Sequence, residues 1–192
     1  MKYLKIYEST DKPIPSFEHI RHNFKFRSVK GTNPFDRLYD KNGRENLDFD
    51  VYLPTKGFNL QRDFVWSLSQ KQQFILSILK EVPIPKVAVI RHKTDKDENI
   101  FQIIDGKQRI KTYCDFCDGE FPIPINGHDY YYYELPEKMK LCINQFSFQG
   151  DMAFSYDNDS ISDDDKIRWF NQLNFAGTQQ EEEHIKKLKN SL

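Results

Sequence analysis

The chain has 192 residues, with 28 Lys and Arg against 29 Asp and Glu, a formal net charge of −1. That balance argues against a protein that grips nucleic acid through overall charge and leaves only a local basic patch for such a role. Hydrophobic residues make up 38% and aromatic residues 15%, enough for one domain with a core rich in Phe and Tyr. No apolar run is long enough to cross a bilayer, and the N-terminal MKYLKIYESTDKPIP lacks the apolar stretch of a signal peptide. Three cysteines do not make a disulfide framework. The expectation is a soluble, cytoplasmic protein with reduced thiols and no membrane partner.

Residues 1–48 are polar and turn-rich (Pro13, Pro15, Gly31, Asn33, Pro34, Asn42 and Gly43) and read as an N-terminal arm that packs on the main body or on a partner. Residues 49–192 form the domain. FDVYLP at 49–54 alternates as a strand does, and GFNLQRDFVWS at 57–67 is extended. Ser69 and Gln72 have the spacing of a capping box. Phe74, Ile75, Ile78, Leu79 and Val82 then share one helical face, and Pro83 and Pro85 end the helix. PKVAVIRH (85–92) and NIFQII (99–104) are strands joined by the charged turn TDKDEN, a hairpin.

Asp105 and Gly106 break the second strand and open a helix whose inner face is Ile110, Tyr113, Cys114 and Cys117, with Gly119 as its stop. EFPIPI and HDYYYYEL read as strands, and PEKMKLCINQF as a short helix with Pro136 in its first turn. FSFQGDMAFSY reads as a strand broken at Gly150. Two C-terminal helices follow. Ser162 caps the first, with Asp163, Asp164 and Asp165 complementing its dipole, and Gly177 ends it. Thr178 and Glu181 box the second. There is no internal repeat.

The segment with most chemistry is IDGKQRI at 104–110. The first N–H groups of a helix have no internal acceptor, the dipole adds partial positive charge there, and glycine allows a ligand close approach. Such a start takes phosphate. Lys107 and Arg109 place full positive charge in the first turn, which opposes the dipole unless an anion arrives. Asp105 has three uses: capping the helix, holding a magnesium ion or orienting a water. The plain alternative is an ordinary helix with solvated basic residues.

Arg62, in QRDFVWS at 61–67, could meet a second phosphate bidentately or simply pair with Asp63 or another surface acid. Phe64, Val65 and Trp66 read as core. Asn174, in WFNQLNFAGTQQ, could bond backbone or ligand near a helix end. Cys114 and Cys117 have zinc-ligand spacing, with Cys142 and His128 as further candidates, but they fall on an inner helical face, where free cysteine is commonly buried. The tyrosines at 130–133 could stack on bases, although a strand would turn only half of them outward.

Three ordered segments carry a resemblance: Gln61-Arg62-Asp63-Phe64-Val65-Trp66, Ile104-Asp105-Gly106-Lys107-Gln108-Arg109, and Phe170-Asn171-Gln172-Leu173-Asn174-Phe175-Ala176-Gly177-Thr178. Together they resemble the ParB/sulfiredoxin-like domains that form the N-terminal half of GmrSD-type modification-dependent restriction systems, over about residues 50–182. Two positions depart from that pattern: Lys107 stands where Gln is usual, and Gln172 where Arg is common.

The resemblance implies an α+β fold, a small mixed sheet flanked by helices with two C-terminal helices. It implies a nucleotide-binding, NTP-hydrolysing module of a bacterial defence or phage-encoded DNA-processing system. The ligand or substrate would be a nucleoside triphosphate with Mg2+, and the partners DNA and a separate nuclease or other protein. On this reading Gly106, Lys107, Gln108 and Arg109 hold phosphate, Asp105 is the catalytic and metal-binding residue, and Gln61, Arg62 and Asn174 are accessory. The second domain of such systems carries an H-N-H nuclease motif. The five histidines here (19, 22, 92, 128 and 184) are scattered, so no nuclease domain is expected in this chain. The alternative is a non-catalytic DNA- or protein-interaction module that reuses the fold.

Overall fold

The computed structural model describes residue 35 and residues 38–93, 99–154 and 161–175. Eight strands and four helices occur among them. They are β1 (Leu47–Asp48), β2 (Tyr52–Leu53), β3 (Phe58–Asn59), α1 (Leu68–Leu79), β4 (Val87–Lys93), β5 (Asn99–Asp105), α2 (Lys107–Cys117), β6 (Ile123–Ile125), β7 (His128–Tyr130), α3 (Glu137–Asn144), β8 (Gly150–Phe154) and α4 (Asp163–Phe175). The central sheet has the order β1-β5-β4-β8. The expected hairpin is there as the antiparallel β4–β5 pair, while β1 runs parallel to β5 and β8 parallel to β4. The fold is therefore α+β with a small mixed sheet.

Period-two alternation explains how the sheet carries two cores. In β4, Val87 and Val89 face one core while Ala88 and Ile90 face the other; in β5, Ile103 and Ile104 divide in the same way. The first core lies under α1, α2 and α3 and includes Phe35 and Leu38 from the region read as an arm. The second lies under α4 and the β2–β3 hairpin.

Several local expectations need correction. The box that opens α1 is Ser67 with Gln70, two residues earlier than expected. Ser67 is extended, its Oγ accepts the Gln70 N–H at 3.3 Å, and the Gln70 side chain accepts the Ser67 N–H at 2.8 Å. S-x-x-Q occurs twice in this stretch, and only the first serine stands outside the helix. Gln72 instead donates to the Pro122 carbonyl at 3.0 Å.

The strand expected through the tyrosines stops at Tyr130, because the Glu134 carboxylate takes the Tyr131 N–H at 2.8 Å and a 3-10 turn follows at Tyr132–Glu134. Tyr131 and Tyr133 stack on each other at 5.5 Å. At Gly150 the strand begins rather than breaks. A Cβ there would lie 2.6 Å from the Phe35 ring, so only glycine lets β8 come so close. Ser162 caps α4 as expected, accepting the Asp165 N–H at 3.2 Å. The stop at Gly177 and the helix boxed by Thr178 and Glu181 lie outside the described residues. Among the described residues no helix is long and apolar enough to cross a membrane.

Candidate functional site

The site forms where β5 hands over to α2. Ile103 and Ile104 are buried in the two cores, so the strand's end is held from both faces. Gly106 then turns the chain with φ +102°, and an added Cβ would lie 2.4 Å from Val87 Cγ1. No other residue fits that turn without displacing β4. Gly106 is the N-cap of α2 and supplies no side-chain cap. The option that Asp105 caps the helix is thereby excluded, because Asp105 is still the last residue of β5. Its carboxylate goes instead to Arg109, Oδ2 to Nη2, at 2.6 Å. The first helical bond runs from the Ile110 N–H to the Gly106 carbonyl at 2.9 Å. The N–H groups of Lys107, Gln108 and Arg109 precede it and have no acceptor within the helix.

A cleft of about 240 Å³ opens at this helix start. It is lined by all eight residues named from the sequence, Gln61, Arg62, Asp105, Gly106, Lys107, Gln108, Arg109 and Asn174, together with Trp66 and Phe170. Three of these are cations and one is a carboxylate, so the cleft is locally basic in a chain of net charge −1.

Each charge is held differently. The second Arg109 nitrogen, Nη1, donates to the Pro85 carbonyl at 2.7 Å. Lys107 is nearly buried, and its Nζ lies 3.2 Å from the exposed carboxylate of Asp50. Asp50 was not anticipated from the sequence, where nothing local marks a residue 57 positions away as the partner of Lys107. Arg62 is exposed and makes no ion pair or hydrogen bond with the described residues.

The Gln108 side chain is turned away from solvent. Its Oε1 accepts the N–H of Val65 at 3.0 Å and of Trp66 at 3.3 Å, and its Nε2 donates to the Asp63 carbonyl at 2.9 Å. Gln61 Nε2 donates to the Ile104 carbonyl.

The apolar trio beside Arg62 does not enter the core as one unit. Val65 is 58% exposed, because an extended chain alternates its side chains. Phe64 is half-buried, with Lys71 Nζ 4.5 Å from its ring centroid. Trp66 packs edge-on against Phe74 at 5.5 Å.

The opposite wall comes from α4. Its first turn is fastened to the β2–β3 loop: the N–H and Oγ of Thr55 donate to Asp163 at 2.9 and 2.7 Å, and Lys56 pairs with Asp164 at 2.9 Å. Further along the helix, Phe170 is buried and Asn174 donates to the Phe170 carbonyl at 2.8 Å.

The cysteines lie elsewhere. Burial pushes the Cys114 thiol up to about 11 and the Cys117 thiol up to about 12, so both stay protonated near neutral pH. Among the described residues no three His, Cys, Asp or Glu side chains are grouped to hold a metal ion.

The family model described as the N-terminal domain of the GmrSD restriction endonuclease matches residues 40–192. The chain belongs to that family. It is a module of the restriction-system, defence-related kind, and all the cleft residues lie within the matched GmrSD region. No curated protein and no solved structure matches the chain.

Proposed function

We propose that this GmrSD N-terminal domain binds a nucleoside triphosphate by its phosphates at the start of α2, and that hydrolysis there governs the action of a nuclease on DNA. The observation that carries the reading is the convergence of Arg62, Lys107 and Arg109 on an uncapped helix start in one cleft. Backbone N–H groups, the helix dipole and guanidinium forks all favour an anion there.

Arg109 is poised for such a ligand. Its present partner is a carboxylate at 2.6 Å, and a phosphate oxygen can take that carboxylate's place. Asp105 is the residue that would hold magnesium. A single carboxylate suits that ion, which is usually bound through one or two carboxylates plus substrate phosphates. When bound, magnesium neutralises charge developing on the phosphates. Arg62, Lys107 and Arg109 bind and orient the chain of phosphates, and Asp105 accepts a hydrogen bond from the attacking water.

A second reading, a non-catalytic DNA- or protein-interaction module, draws on one observation. Arg109 and Lys107 already have carboxylate partners within the chain, so neither charge requires a ligand.

Titration calorimetry with nucleoside triphosphates and magnesium, beside a phosphate-release assay, separates the two. Arg109→Ala should weaken binding about ten- to a hundredfold, the value of one lost charge-assisted contact. Asp105→Asn should retain binding and lose hydrolysis. Saturable binding that Arg109→Ala leaves unchanged would place the phosphates elsewhere, and no binding at all would favour the interaction module.

A further inference from the structure

We infer that Gln61 and Gln108 are positioning residues that lace the 61–66 segment to the β5–α2 junction and so hold Arg62 as a preset phosphate ligand. This rests on the phosphate reading of the cleft. Residues 62–67 form neither helix nor strand. A backbone of that kind must find partners for its N–H and C=O groups outside the regular ladders. Here one side chain supplies three of them. Gln108, only 9% exposed, accepts from the Val65 and Trp66 N–H groups and donates to the Asp63 carbonyl. Acceptor and donor are needed at one side-chain tip, which an amide provides and a carboxylate or an ammonium does not.

At the other end Gln61 donates to the carbonyl of Ile104, the residue before Asp105. Arg62 therefore lies between two tethers, one on each side of it, and both reach the same strand-to-helix junction that carries Asp105, Lys107 and Arg109. Trp66, whose N–H Gln108 holds, seats the far end of the segment against Phe74 at 5.5 Å. With its backbone already fixed, Arg62 loses less freedom when an anion arrives, and preorganisation of that kind appears as affinity. Gln108 thus serves the site through Arg62, its amide already spent on backbone.

The test uses the full chain, with inorganic tripolyphosphate and magnesium as the probe in titration calorimetry. Gln108→Met keeps the length of the side chain and removes all three bonds. It should weaken binding about tenfold, close to the effect of Arg62→Ala. The double variant should bind no more weakly than Arg62→Ala alone, because the two residues act as one. A double variant weaker by the product of the two single effects would mean that Gln108 meets phosphate directly, and would overturn the proposal.

Amide hydrogen exchange provides a readout without ligand. In Gln108→Met the Val65 and Trp66 amides should exchange faster while the Tyr113 amide inside α2 stays protected. Unchanged exchange at Val65 and Trp66 would overturn the tether. Gln61→Met, which breaks only the other tether, should weaken binding in the same direction if Gln108→Met does not fold. If the parent fails to bind tripolyphosphate, the phosphate reading falls and the role of Arg62 with it. If the parent binds and Gln108→Met binds equally well, the positioning role alone falls.

Discussion

The two faces of the central sheet are built differently. Under α1, α2 and α3 the core is a cluster of rings: Phe148 stacks on Phe74 at 6.2 Å and meets Phe35 at 6.2 Å, Tyr113 at 6.0 Å and Phe146 at 4.9 Å edge-on. Under α4 the buried residues are mostly aliphatic, Val51, Leu53, Leu60, Ile90, Ile104 and Ile167, with Phe170 as the buried ring. That face is closed by polar fastenings, the bonds from Thr55 to Asp163 and the Lys56–Asp164 pair, while Lys166 pairs with Asp163 within α4 itself. Burial of a large side chain, ring or aliphatic, is worth several kcal/mol per residue, whereas an exposed ion pair contributes about 1 kcal/mol or less and a hydrogen bond to a charged group about 1.5–3 kcal/mol. Apolar burial therefore supports both faces, and the face that carries the cleft wall adds polar fastenings at the start of α4.

The largest expected effect is on the ring-rich face. Phe148→Ala removes a side chain that is 1% exposed and should cost about 3–5 kcal/mol, read as a lower midpoint in urea unfolding. A cost below about 1 kcal/mol, the size of a typical polar contact, would erase the contrast between the faces.

Trp66 stands on the boundary between the ring-rich core and the cleft. It packs on Phe74 and also lines the cleft, and it is only half-buried. Trp66→Ala should therefore cost about 2 kcal/mol, less than a fully buried ring, and should also loosen the 61–66 segment. Stability within a few tenths of a kcal/mol of the parent would show that Trp66 belongs to the cleft alone.

The parts of this architecture that were legible in the sequence are those set by local spacing. The apolar face of α1 apart from Val82, which lies beyond the helix end at Leu79, the face of α2, the β4–β5 hairpin and the Asp105-Gly106 turn all follow from residues within one turn or one strand of each other. The bringing together of Gln61, Arg62 and Asn174 with 105–109 was legible only as an ordered set of motifs. What stayed hidden depends on contacts across the chain. Gln108 stood in the right motif, but nothing local shows that its amide turns to residues more than 40 positions earlier. The Asp50 partner of Lys107 and the anchoring of Asp163 by Thr55, 108 positions away, are equally invisible. Two S-x-x-Q patterns overlap at the start of α1; the expected cap is Ser69, and the extended backbone of Ser67 places it two residues earlier.

The smallest expected effect lies at the anchor of α4, and it depends on pH. Burial pushes the Asp163 carboxyl up, but the hydroxyl and N–H of Thr55 and the charge of Lys166 outweigh it, and the group ends below its ordinary value of 3.8. The unfolded chain therefore takes up this proton more readily than the folded one. The stabilisation is complete above the ordinary value and is lost as the pH falls through the lower folded value. Asp163→Asn keeps an acceptor for Thr55 and removes the charge. Near neutral pH it should cost about 1 kcal/mol, and in strong acid parent and variant should converge, because the parent carboxyl is then protonated too. Urea unfolding of both at pH 7, and again at a pH below the folded value, measures the gap. A gap of equal size at both would mean that the carboxylate charge does not fasten α4, which would then rest on its apolar contacts with the second core.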